Sequence, residues 1–172
     1  MVTLSLLRHG KSSWEDSDLS DHDRPLAAIG RRAAADVGAY IASHDLIPDL
    51  ILCSSALRAR ETLDCILPKL GSHKPKVEIE PALYLAPATR MLHVVRQTPA
   101  SVRHLLLLAH NPGLHGLALD LTGRGLRRDI ASMAVKFPTC ALAVLTFETD
   151  NWHDVHPAAG HLDRFVAPRS LA

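Results

Sequence analysis

"VTLSLLRHG", residues 2–10, decides how this chain is read. Residues 2–7 make an apolar run of strand length, and Arg8, His9 and Gly10 follow it at once. A segment that reads as a buried strand therefore delivers two basic side chains and a glycine at its carboxyl end. Uninterrupted apolar runs of this kind suit strands covered on both faces, as in a parallel sheet.

Working outward, three more runs share that character: "DLILC" (49–53), "HLLLLAH" (104–110) and "CALAVLTF" (140–147). Helical patterns separate them. Ile29, Ala33, Val37, Tyr40 and Ile41 recur at helical spacing between Pro25 and Pro48, which predicts an amphipathic helix over 26–44. Residues 57–70 and 113–123 read the same way, the latter after Asn111 and Pro112, a capping residue followed by a proline suited to a first turn. A short strand "KVEIE" (76–80) and a helix over 89–97 complete the order β, α, β, α, β, α, β, α, β. That order predicts an α/β fold: a three-layer α/β/α sandwich with a mostly parallel central sheet, in one domain spanning 1–172. The tail from Pro157 onward, with "PAAG" and "APRS", is expected to run over the surface.

Nineteen Lys plus Arg against 18 Asp plus Glu leave a net charge of +1, which offers no electrostatic reason for a nucleic-acid or membrane partner. Any anion site must be local. Three cysteines, Cys53, Cys65 and Cys140, suit small core positions in a reducing compartment better than a disulfide framework. Arg8 and His9 interrupt the first apolar stretch too early for a secretory signal, so a cytoplasmic location is expected.

In an open α/β sheet, ligands sit outside the carboxyl ends of the strands. The first strand places Arg8 and His9 there, the second Ser54 and Ser55 with Arg58 just beyond, and the fourth His110 and Asn111. Two arginines and two histidines from distant parts of the chain thus converge. Arginine presents a planar fork of donors matched to phosphate oxygens, and helix N-termini add free N–H groups. Together these residues describe a phosphoryl site.

The segments "LLRHGKSSW", "SSALRARETL" and "LLLLAHNPGLHGLA" resemble the three signature segments of the histidine phosphatase superfamily, the phosphoglycerate-mutase-like fold marked by Arg-His-Gly after the first strand. Arg-His-Gly alone is weak. Joined to the spacing of Ser54, Arg58 and Thr62 and to a strand ending in His110, it is specific. The resemblance implies that His9 is the nucleophile that becomes phosphorylated, with Arg8, Arg58 and His110 clamping the phosphoryl oxygens, and that no metal or cofactor is needed. "HDRPLAAIG" (22–30) is most similar to bacterial phosphohistidine phosphatases of the SixA type.

Two departures bear on substrate. Larger relatives carry a carboxylic acid after the third strand to protonate the leaving oxygen, and alignment places Leu85 there, with Glu80 the nearest carboxylate. Glu15 stands where larger members carry a phosphate-binding asparagine, so Lys11 or Arg24 is expected to supply the binding charge, alongside Asn111. A missing acid favours a leaving group that brings its own proton. Phosphohistidine does so, which makes a phosphohistidine-bearing signalling or phosphotransfer protein the expected partner and a small phosphorylated substrate the alternative. A non-catalytic phospho-ligand module is the rival outside the enzymes.

Other features read plainly. Cys53 and Arg58 lack the five-residue spacing of a cysteine phosphatase loop, and His153 and His156 would face opposite sides of a strand rather than share a metal. The acidic stretch 16–23 reads as a polar rim, and Ser54 and Ser55 as turn or cap residues.

Overall fold

The apolar runs become the middle of a sheet. The computed structural model describes residues 1–171. Its strands are β1 (Val2–Arg8), β2 (Leu50–Cys53), β3 (Lys76–Ile79), β4 (His104–Ala109), β5 (Thr122–Gly125), β6 (Leu142–Phe147) and β7 (Gly160–Val166). They form one seven-stranded sheet in the order β3-β2-β4-β1-β6-β7-β5. Strands β3, β2, β4 and β1 pair in parallel, β6 runs antiparallel to both β1 and β7, and β5 is parallel to β7. The sheet is therefore mostly parallel, in agreement with the expected fold.

Helices cover both faces. On one side α1 (Ala28–Ser43) and α2 (Leu57–Ile66) bring Val37, Ile41, Leu63 and Ile66 against Leu7, Ile51, Leu106 and Leu108. On the other, α3 (Ala88–Arg96), α4 (Gly113–Leu121) and α5 (Arg127–Val135) bring Met91, Val95, Leu117 and Met133 against Leu4, Leu6, Leu105 and Leu107. Successive β4 leucines thus feed opposite cores, which is why that strand carries no polar alternation. The helix expected over 57–70 ends as an α-helix at Ile66 and tightens into a 3₁₀ turn at Leu67–Leu70, where Pro68 removes a donor.

The tail corrects an expectation. Residues from Gly160 onward do not run loose over the surface but form β7, which pairs with β6 through Ala143 opposite Phe165 and Leu145 opposite Leu162. Its outward Asp163 and Arg164 disguise a strand whose inward Leu162 is fully buried.

Topology sets the place of the site. Parallel β1, β2 and β4 end at one edge of the sheet, and antiparallel β6 begins there. The Cys140 N–H just before β6 donates to the carbonyls of Arg8 and His9 at 3.0 and 3.1 Å, which pins the end of β1. Gly30, in the first turn of α1, lets that helix press against the turn after His9: a Cβ there would lie 2.4 Å from the Lys11 carbonyl oxygen.

Candidate active site

A cavity of about 300 Å³ opens where these strand ends meet. Arg8, His9, Lys11, Arg24, Arg58, His110 and Asn111 all line it, with Ser12, Trp14, Leu85 and Thr139. The structure therefore brings every site residue expected from the sequence to one place.

His9 is 7% exposed, and its ring sits 4.9 Å from that of His110, centroid to centroid. Its Nδ1 lies 2.7 Å from the Gly10 carbonyl oxygen. A carbonyl only accepts, so Nδ1 carries the proton and Nε2 is left with its lone pair. The Gly10 N–H in turn donates to Thr62 Oγ1 at 2.9 Å, and that hydroxyl donates to the Arg58 carbonyl at 2.7 Å. One α2 threonine thus ties the His9–Gly10 turn to the arginine-bearing turn of the same helix.

Burial, helped by the charges of Arg58, Arg8 and Arg24, pushes His9 down to about 4. Burial with the neighbouring His9 and Arg58 pushes His110 down to about 3. Both rings are neutral at pH 7. Burial also pushes His104, a β4 residue outside the cavity, down to about 4.

An ordinary histidine titrates near 6.5, so between pH 6.5 and about 4 the unfolded chain takes up protons that these three folded rings refuse. Stability therefore rises with pH across that window and falls on acidification, by up to about 1.4 kcal/mol per group per pH unit. The midpoint of urea unfolding, followed from pH 7.5 to 4.5, is expected to drop steadily below pH 6.5. A flat profile would contradict the neutral state of these rings.

The arginines divide the work. Arg8 donates from NH1 to the Phe137 carbonyl at 3.1 Å, while its Nε is buried without a protein partner. Arg58, 3% exposed, donates from NH1 to the Asp21 carbonyl at 2.7 Å and from NH2 to Asp21 Oδ2 at 3.0 Å. Arg24 contacts Asp21 Oδ1 at 3.0 Å and stacks its guanidinium 3.6 Å from the ring centre of exposed Trp14. Lys11 is exposed at the cavity edge. Asn111 faces the cavity but spends its amide on the scaffold: Nδ2 donates to the Phe137 carbonyl at 2.9 Å and Oδ1 accepts from the His115 N–H at 3.2 Å.

Sequence reasoning missed Asp21. It belongs to the stretch that reads as a polar rim, yet the segment folds back through Ser13 N–H donating to the Pro25 carbonyl and Ala27 N–H donating to the Lys11 carbonyl. That closure sets Asp21 against Arg58, Arg24 and the Tyr84 hydroxyl, which donates to Oδ2 at 2.5 Å. The Tyr84 hydrogen bond, then those from Arg24 and Arg58, hold its carboxyl well below the usual range, so it is ionised at neutral pH. Glu80 is turned elsewhere: it caps the turn at Pro81–Leu83 by accepting from the Ala82 N–H at 3.0 Å, and it lines a different cavity. Leu85 is exposed with φ 50° and contributes an apolar wall to the cavity.

Residues 4–84 match the model of the histidine phosphatase superfamily (branch 1). An uncharacterized protein of Mycobacterium leprae (strain TN) is 33% identical over 167 residues, covering 95% of this chain and 100% of that protein. This chain belongs to the histidine phosphatase superfamily. Within the superfamily its fold is similar to a chain from Nakamurella multipartitia named for phosphohistidine phosphatase SixA, at 27% identity and TM-score 0.83 over 97% of this chain and 96% of that one. A SixA-named chain from Agrobacterium tumefaciens gives 26% identity and TM-score 0.81, with 97% and 98% covered. The phosphoglycerate-mutase-like architecture expected from the signature segments is thereby the one observed. Among the described residues, no helix is long and apolar enough to cross a membrane.

Proposed function

We propose that this histidine phosphatase superfamily member removes the phosphoryl group from phosphohistidine on another protein, through a covalent phosphohistidine at His9. The observation that carries the substrate assignment is the lining of the cavity: among the described residues, no Asp or Glu lines it, and Leu85, the residue aligned with the family acid in the sequence, is apolar. Asp21, the carboxylate on its margin, is held ionised and has no proton to give.

The chemistry follows from that lining. The His9 Nε2 lone pair attacks phosphorus while Nδ1–H stays on the Gly10 carbonyl. Negative charge on the phosphoryl oxygens is met by Arg8, Arg58 and His110, donors already in place before the reaction. The P–N bond to the substrate imidazole breaks, and a proton taken from water on that ring's far nitrogen lets it depart as neutral imidazole. Water then attacks the His9 phosphoryl group, the P–Nε2 bond breaks, and inorganic phosphate leaves with neutral His9 restored. An alkoxide has no such route, because it needs a proton on the departing oxygen itself. The SixA-named relatives, above 25% identity over nearly their whole length, support the same assignment.

The test is a substrate comparison on purified protein. Phosphohistidine in a carrier protein is expected to turn over at least roughly 100-fold faster than simple alkyl phosphates, the scale that general-acid catalysis contributes. Across aryl phosphates the rate should fall steeply as the leaving phenol becomes more basic. Equal turnover of alkyl and activated aryl phosphates would reassign the protein to small phosphomonoesters, and no turnover of any of them would make it a binding module.

A further inference from the structure

Ser54 stands at the end of β2, fully buried, and reads in the sequence as a turn residue. In the structure its hydroxyl does two things. Oγ accepts from the Ala56 N–H at 3.3 Å, and it lies 2.7 Å from His110 Nε2. His110 Nδ1 is buried and has no protein partner.

We infer that Ser54 is a positioning residue for the phosphoryl site: its hydroxyl donates to His110 Nε2 and thereby forces the proton of the neutral ring onto Nδ1, the nitrogen left to donate to the phosphoryl group. The inference rests on the phosphatase reading of the cavity, and it adds what makes His110 a donor there.

Two tautomers are available to a neutral ring, and their hydrogen-bond consequences differ sharply. If Nε2 carried the proton, it would donate to Ser54 Oγ, whose lone pairs would then serve two donors. The hydroxyl's own proton would have no acceptor, since its partners are His110 and the Ala56 N–H. His110 would also turn a lone pair from Nδ1 toward an anion. Burying an unmatched hydroxyl proton costs on the order of 1–3 kcal/mol, and a lone pair facing phosphate oxygens adds repulsion. With the proton on Nδ1 every group is matched: Ala56 N–H to Ser54 Oγ, Ser54 O–H to Nε2, and Nδ1–H to the anion. The bond on one ring nitrogen sets the proton on the other.

The same logic operates on His9 with the opposite outcome. There the Gly10 carbonyl holds Nδ1–H and leaves Nε2 as a lone pair. Two neutral imidazoles 4.9 Å apart are thus given different roles, nucleophile and donor, by one carbonyl and one hydroxyl.

The direct test is the nitrogen-15 chemical shift pattern of the His110 ring in the full-length wild-type protein at pH 7, assigned by comparison with His110→Gln. Protonation at Nδ1 is expected, and protonation at Nε2 would overturn the inference whatever the enzyme's substrate proves to be. Ser54→Ala should release the constraint, populate the Nε2–H tautomer, and weaken inorganic vanadate binding roughly 10- to 100-fold, because a misdirected tautomer withdraws a donor from the anion. Ser54→Thr, which keeps the hydroxyl, should restore the Nδ1–H pattern and most of the affinity. An Nδ1–H tautomer and vanadate affinity both unchanged in a folded Ser54→Ala protein would assign Ser54 to the turn alone. Should Ser54→Ala fail to fold, the wild-type shifts together with Ser54→Thr decide the matter. Failure of phosphohistidine turnover in the wild type would defeat the substrate assignment without moving the tautomer or the vanadate reading.

Discussion

His9→Ala is expected to reduce turnover by at least roughly 10⁴-fold while leaving the fold intact. The size follows from chemistry rather than packing. Nε2 forms the covalent bond in the proposed first step, and the two groups beside it are otherwise engaged: Ser12 Oγ accepts from Arg24, and the His110 ring is held by Ser54. The fold should survive because His9 lies at the end of β1, where the backbone and not the ring makes the sheet contacts. Rapid acid-free quenching of the wild type with labelled substrate should trap phosphate on His9, identifiable by mass spectrometry, and His9→Ala should trap none. Near-normal turnover in a folded His9→Ala protein would eliminate covalent catalysis at this residue.

Arg58→Ala carries the second largest expected effect, roughly 10³-fold in kcat/KM with a clear loss of vanadate affinity. Arg58 faces the cavity while two of its nitrogens are spent on Asp21, so its fork is held in place before any ligand arrives. Removing it deletes a charge-assisted donor from ground and transition states alike and leaves Asp21 to Arg24 and Tyr84. A merely electrostatic role would be rescued by Arg58→Lys. The two-point contact with Asp21 predicts that lysine rescues poorly, because an ammonium cannot span a carbonyl and a carboxylate as a planar fork does. Unchanged vanadate affinity in Arg58→Ala would remove the residue from the site.

Arg8, His9, Arg58 and His110 are legible in the sequence because a physical rule turns strand ends of a parallel sheet into one location. Four apolar runs suffice to apply it. Asp21 is not legible, since "SDHDRP" is indistinguishable from a solvated loop until the Ser13–Pro25 and Lys11–Ala27 hydrogen bonds fold it over Arg58. Ser54 has the same difficulty: a serine after a strand reads as a cap, and only the 2.7 Å approach of His110, 56 residues away, gives its hydroxyl a second duty. In the fold, β5 is hidden because the two glycines of "TGRG" weaken its strand signal, its first two residues read as the end of the helix expected over 113–123, which stops at Leu121, and it depends on β7 for its pairing. Helix α5 hides in the same way, offering Met133 as its one fully covered side chain. Strand β7 is hidden because His161, Asp163 and Arg164 interrupt its apolar residues, so that no apolar run marks it.

The central seat of β1 has a consequence for how the protein is made. Its neighbours are distant in the chain: Thr3 pairs with His104, and Val2 pairs with Phe147. During synthesis β1 leaves the ribosome before either partner and stays unpaired until the residues that separate it from β4 and β6 have followed. Such non-local pairing slows folding and leaves an apolar segment open to wrong partners or chaperones meanwhile. It also joins competence to completion. Because His9 sits at the tip of the strand that both distant partners must flank, a nascent or clipped chain lacking β6 also lacks the Cys140 N–H that pins the His9 turn, and the site assembles only once both flanking strands are in place.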